Sequence, residues 1–230
     1  MTSAQRRMLI IGLVPLLVLV LTAAAVTVSL IRGKLPYSYS TTFAPGADGT
    51  RITADVPTQV LASVDGQVHV NVDGTYAEAK PDVKVSREGG QLLVETRCPD
   101  THCSVELTVE VPTAAAVQAK VETASVNVVG VSSPLNLAVK DGSVDLVRVR
   151  SPRVSVDVQR GSATLSFDSP PDQVSATTSD GSLTVRVPPG AAYAIDAIAA
   201  QGSTDLHVPS DPTAARHLYL RSSYGSITIQ

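Results

Sequence analysis

Residues 135–187 read LNLAVKDGSVDLVRVRSPRVSVDVQRGSATLSFDSPPDQVSATTSDGSLTVRV. Gly-Ser occurs three times in this stretch, at Gly142-Ser143, Gly161-Ser162 and Gly181-Ser182, and twice beyond it, at Gly202-Ser203 and Gly225-Ser226. Ala124-Ser125 is a sixth copy with Ala in place of Gly, and successive copies lie 18, 19, 20, 21 and 23 residues apart. Two and four residues after the dipeptide's first position stand Val126/Val128, Val144/Leu146, Ala163/Leu165, Leu183/Val185, Thr204/Leu206 and Ile227/Ile229. A polar residue separates each pair: Asn127, Asp145, Thr164, Thr184, Asp205 and Thr228. Alternation with period two marks a strand with one buried face.

The flank before each Gly repeats the pattern. Seven and five residues ahead come Val117/Ala119, Leu135/Leu137, Val154/Val156, Val174/Ala176, Ile195/Ala197 and Leu218/Leu220. Each unit is therefore two short strands hinged at a corner, and Asp141-Gly142 and Asp180-Gly181 suit a turn that needs positive φ. Length varies between units, where Pro112, Pro134, Pro152, Pro170-Pro171, Pro188-Pro189, Pro209 and Pro212 gather. Proline cannot donate to a strand ladder, so it belongs at corners.

Six units with one fixed and one variable corner predict an all-β, single-stranded β-solenoid of about six coils over residues 113–230. An antiparallel sandwich of hairpins is the competing architecture, because Asp-Gly also starts hairpins. The sandwich leaves a Ser after each Gly unexplained, whereas stacked units visit one environment repeatedly. One unit alone buries too little to offset the ordering of some twenty residues, so neighbours must share a core.

Ahead of the repeats, residues 51–112 alternate more loosely and are expected to form an N-terminal β cap. Residues 32–50 read as a stalk. Residues 8–31, MLIIGLVPLLVLVLTAAAVTVSLI, carry no charge. A bilayer core needs about 20 apolar residues as a helix, so a transmembrane signal-anchor is expected there. A cleaved signal peptide is the alternative, with Ala23, Ala24 and Ala25 as small residues for a peptidase. Residues 1–7 would form a cytoplasmic tail, placing the chain at the cell membrane as a single-pass protein with its C-terminal domain outside the cytoplasm.

After Lys34 the chain holds 14 basic against 21 acidic residues, a balance of −7. An acidic surface without a basic stripe repels phosphate backbones, which excludes nucleic acid as a partner. The two cysteines, Cys98 and Cys103, flank Pro-Asp-Thr-His. In an exported chain they are expected to form a disulfide. Free thiols, or a metal site completed by Asp100 and His102, are the other readings, and zinc would want a second Cys/His pair.

No phosphate loop, nucleophile elbow or other catalytic motif stands out, and no cofactor is called for. Some β-helices degrade polysaccharides with paired carboxylates. Asp145 and Asp205 occupy equivalent outward positions, but three coils apart they would be about 14 Å from one another, beyond the ~5–9.5 Å of such pairs. The chain stops at Gln230, one residue past the inward Ile229. An open coil edge is expected there, and with it self-association or a protein partner.

The N-terminal apolar segment, the cysteine-bearing lead-in, ELTVEVP at residues 106–112 and the repeated Gly-Ser units together resemble a known family. It comprises bacterial β-strand-repeat envelope proteins called "putative adhesins", a domain of unknown function with a toast-rack-like solenoid. The resemblance covers about residues 60–230; Ala124 departs from the Gly of the other units. It implies an envelope location and no catalytic residues. The expected role is a non-enzymatic adhesin-like scaffold or protein-interaction module, the alternative a sensor in an envelope-stress system; the ligand is not implied.

Overall fold

The computed structural model describes residues 20, 33–113 and 115–230. The expected spanning segment, residues 8–31, lies outside them apart from residue 20. Among the described residues no helix is long and apolar enough to cross a membrane.

The described residues form an all-β body, with nineteen strands in two facing sheets of ten and nine. Each repeat unit gives one strand to each sheet. The pairs are β8 (Val117–Val121) and β9 (Val126–Val129), β10 (Leu135–Asp141) and β11 (Val144–Val149), β12 (Arg153–Arg160) and β13 (Ala163–Phe167), β14 (Gln173–Asp180) and β15 (Leu183–Arg186). Equivalent strands of neighbouring units pair in parallel. Val117, Leu135, Val154 and Val174 follow one another in register across the nine-stranded sheet. Val128, Leu146, Leu165 and Val185 do so across the ten-stranded sheet. These columns face each other in one continuous aliphatic core. Both sheets bury one face, so alternation survives even though the strands are parallel.

The corner explains the Gly-Ser signature. Gly142, Gly161 and Gly181 have φ of 157°, 136° and 150°, which a side chain disfavours. Their amides donate to Arg160, Asp180 and Tyr224 carbonyls on the next unit at 2.8–2.9 Å. A Cβ at Gly161 would overlap the Gly142 carbonyl, and one at Gly142 the Ala124 carbonyl. Stacking thus removes the space a side chain would need, whereas Ala124 is not among the residues with positive φ. The serines form a ladder beside it. Ser143 N–H donates to Ser125 Oγ (3.2 Å), Ser182 N–H to Ser162 Oγ (3.3 Å) and Ser226 N–H to Ser182 Oγ (3.3 Å).

The stack does not follow chain order at its ends. The last two units are β16 (Ala194–Gln201) with β17 (Thr204–Leu206), and β18 (His217–Tyr224) with β19 (Ile227–Ile229). β18 lies between β14 and β16, and β19 between β15 and β17. The C-terminal unit is therefore covered on both sides, which corrects the expected open C-terminal coil; the edge belongs to the fifth unit. Burial gives the reason. Leu218, Leu220, Ile227 and Ile229 are buried, whereas their register partners in the fifth unit are Ile195, Ala197, Thr204 and Leu206, smaller or more polar at Ala197 and Thr204. Placing the larger aliphatics between two neighbours removes more apolar area from water.

The other pole has a similar inversion. β2 (Thr50–Ala54) and β3 (Thr58–Ala62) contact β8 and β9 on one side. On the other they contact β6 (Gln91–Arg97) and β7 (Ser104–Val111). Antiparallel strands then close the stack: β5 (Asp82–Glu88) on β6, β4 (Val68–Tyr76) on β7, and β1 (Leu35–Phe43) on β4. The stalk reading of residues 32–50 is corrected here. β1 pairs along its whole length with β4, and its alternating Tyr37, Tyr39 and Phe43 pack against the core.

Candidate functional site: outer faces and an uncovered edge

Cys98 and Cys103 form a disulfide with their Cα atoms 5.6 Å apart. It closes the turn between β6 and β7, and the Cys98 amide donates to Asp55 Oδ1 at 3.0 Å, tying that turn to the β2–β3 corner. His102 lies in the same turn, 3.7 Å from Glu78 and 4.0 Å from Asp100. Among the described residues no group of three His, Cys, Asp or Glu side chains is placed to hold a metal ion.

The repeat corners, Ala124-Ser125 through Gly225-Ser226, stack as a row along one side of the body. Their serines bond to one another, with Ser203 and Ser226 Oγ 3.0 Å apart. The row is a structural seam.

The outward column of the ten-stranded sheet runs Asn127, Asp145, Thr164, Thr184, Thr228 and Asp205. Asp145 and Asp205 are thus four strand steps apart, not three, because β19 is inserted between β15 and β17. At about 4.8 Å per step that is roughly 19 Å, still further from a glycosidase spacing. On the nine-stranded sheet the exposed charges pair across units. Arg160 chelates Asp141 with two guanidinium nitrogens, which holds the Asp141 carboxyl below the usual range. Arg221 donates to Asp196 at 2.6 Å and stacks 3.8 Å over the Tyr219 ring. A recess of about 460 Å³ opens over β2, β5 and β6 and carries Asp82, Lys84, Glu95, Arg97 and Glu122. Its charges are mixed, and Lys84 already pairs with Asp82 at 2.8 Å.

One constellation escaped the sequence reading. Thr42 Oγ1 lies 3.0 Å from His69 Nδ1, and His69 Nε2 lies 2.9 Å from Asp65. Asp65 also accepts from Ser63 Oγ (2.8 Å) and the Gln67 amide (2.9 Å). The Gln67 amide first, then His69 and Ser63, pull its carboxyl down to about 2. Thr42 is 27 residues from His69, and only the antiparallel β1–β4 pairing joins them. Its evident effect is to fasten β1 to the turn before β4.

Among the described residues, four of the eight large exposed apolar side chains lie at the far pole: Ile198 (52% exposed), Leu206 (45%), Tyr219 (44%) and Tyr224 (56%). Leu206 occupies an inward position whose outer neighbour is missing among the described strands.

No family model and no curated protein matches the chain. Among solved structures it is similar to a "putative cell adhesion protein" from Clostridium sporogenes, at 13% identity and a TM-score of 0.50, over 85% of this chain and 99% of that one. A "putative adhesin" from Parabacteroides merdae aligns at 10% identity and TM-score 0.41, over 85% of this chain and 96% of that one. Another from Bacteroides fragilis aligns at 14% and 0.36, over 84% and 97%. At such identities only fold is shared, and only the first score is high enough to argue from. The fold of this chain is thus that of a bacterial protein named for cell adhesion.

Proposed function

We propose that the chain is a non-enzymatic, adhesin-like scaffold or protein-interaction module of a bacterial envelope. In this reading it is a β-solenoid held at the membrane by residues 8–31, with residues 1–7 in the cytoplasm and the body outside. The observation that carries it is the end-to-end fold likeness to the "putative cell adhesion protein", which spans 99% of that chain. The Cys98–Cys103 disulfide supports export, since such bonds persist in oxidising compartments. A long, straight ladder of short polar side chains suits presentation of a surface better than enclosure of a substrate. The wide separation of Asp145 and Asp205 argues against a polysaccharide-cleaving site.

Two measurements test the two halves. External protease added to intact spheroplasts should digest a C-terminal tag on the full-length chain and leave a membrane-held N-terminal fragment. A tag that stays protected until the membrane is dissolved would sink the location. Cells displaying the chain should adhere to surfaces or to one another more than cells lacking it. Equal adhesion would remove the adhesive role.

A further inference from the structure

The two poles of the stack end in different chemistry. At the first, the outermost β5 carries Asp82, Lys84, Arg87 and Glu88, and the outermost β1 contains Pro36. Charges and proline on an edge deter further strand addition. At the second, the outermost β16 reads AIDAIAAQ, with one charge and no proline. That charge, Asp196, is neutralised by Arg221 of the same chain at 2.6 Å.

Only the start of the β16 edge is covered. The Tyr193 carbonyl accepts from the Asp211 amide (2.8 Å), and the Ile195 amide donates to Ser210 Oγ (3.1 Å). The Ala194 amide points the other way, to Arg216 on the β18 side (2.8 Å). Backbone groups alternate sides along a strand, so Ala197 and Ala199 direct theirs outward, where no described strand lies beyond them.

We propose that this edge is a homodimer contact, in which a second copy adds its own β16 antiparallel about a two-fold axis at Ile198. Pairing about Ile198 sets Ala197 against Ala199 of the second copy, and Asp196 against Ala200. Each face then meets its own kind, as register requires. The two Ala197–Ala199 pairs exchange both backbone hydrogen bonds, while Ile198 meets Ile198 in the close, non-hydrogen-bonded position, with Cα atoms about 4.5 Å apart. No like charges oppose one another. The second copy also covers the open end of the core, where Leu206 is 45% exposed. A contact that uses the same patch on both partners closes at two copies and does not propagate. The two β1 strands end at opposite outer poles of the dimer. If the chains are anchored as proposed above, the contact therefore bridges facing surfaces; this last step alone rests on that reading.

The test uses the full-length chain purified in detergent. Ile198→Cys places two thiols within disulfide range, and non-reducing electrophoresis should show a dimer that reductant dissolves. Val147→Cys, an exposed position (38%) on the other sheet away from this pole, should stay monomeric. In sedimentation, Ile198→Lys and Ala197→Pro should each weaken self-association at least tenfold. Three outcomes overturn the proposal: a wild-type chain that remains monomeric at every concentration, a dimer that survives both substitutions, or an Ile198→Cys chain that links only to a different protein. None of these bears on where the chain resides, which the protease experiment reads separately.

Discussion

The third and fifth repeat units have the same alternating plan and opposite fates. β12–β13 sits in mid-stack, with Val154, Val156, Ala163 and Leu165 all buried. β16–β17 sits at the end, where Ile195, Ala197 and Ala199 are half-buried and Thr204 and Leu206 exposed. One motif therefore does not guarantee one environment. A unit becomes core only when covered on both sides, and the units with larger aliphatics take those places.

The largest test of this comparison is a pair of leucine truncations. Leu165→Ala, in mid-stack and fully buried, should cost about 2–5 kcal/mol. Leu206→Ala should stay within about 0.5 kcal/mol, both read from denaturant midpoints. Equal costs would mean that the fifth unit is covered in solution, which the dimer contact would produce at high concentration and lose on dilution.

The corner row gives the next effect. Gly161→Ala forces a Cβ onto the Gly142 carbonyl in a left-handed conformation and should cost at least about 2 kcal/mol. Gly190→Ala also sits at positive φ, but nothing lies within 4 Å of its Cβ. It should cost only the conformational term, about 1–2 kcal/mol. A matching loss at both would show that stacking is not what demands glycine.

Removing the disulfide with Cys98→Ser and Cys103→Ser should cost about 2 kcal/mol, because the loop it closes is short. The loss should localise to β6, β7 and the β2–β3 corner in hydrogen exchange. Uniform loss across the stack would contradict a disulfide whose effect stays at this pole.

The smallest effect concerns pH. Asp65 has a folded-state carboxyl at about 2, below its ordinary 3.8. A depressed carboxyl contributes stability that is present above the unfolded value and lost as pH falls through the folded one. Asp65→Asn should therefore flatten the loss of stability between about pH 4 and 2 and leave the mid-stack amides unaffected. An unchanged acid limb would remove the Thr42–His69–Asp65 fastening of β1 as a stabilising element.

Much of the repeat region was legible in advance. The inward residues, the corner at Gly142 and its equivalents, and the Cys98–Cys103 pairing follow from short-range rules: side-chain alternation, the reach of a disulfide, the space a glycine leaves. The ends were not legible for the same reason. β1 contains Pro36 and a run of Ser and Thr, and nothing local distinguishes a stalk from an edge strand until β4 is beside it. The weakness of Ala197 against Leu220 and of Thr204 against Ile227 was a readable hint that the fifth unit stood outermost.

Local rules along the chain set the period, the two-strand unit, the inward face of every repeat and the need for glycine at the corner, because each depends on residues within about twenty positions of one another. Packing of the whole molecule settled the order of stacking, the covering of the C-terminal unit, the roughly 19 Å between Asp145 and Asp205 and the meeting of Thr42, His69 and Asp65. Those outcomes depend on which units gain most from having two neighbours. That comparison is made across the whole core, and no single stretch of chain records it.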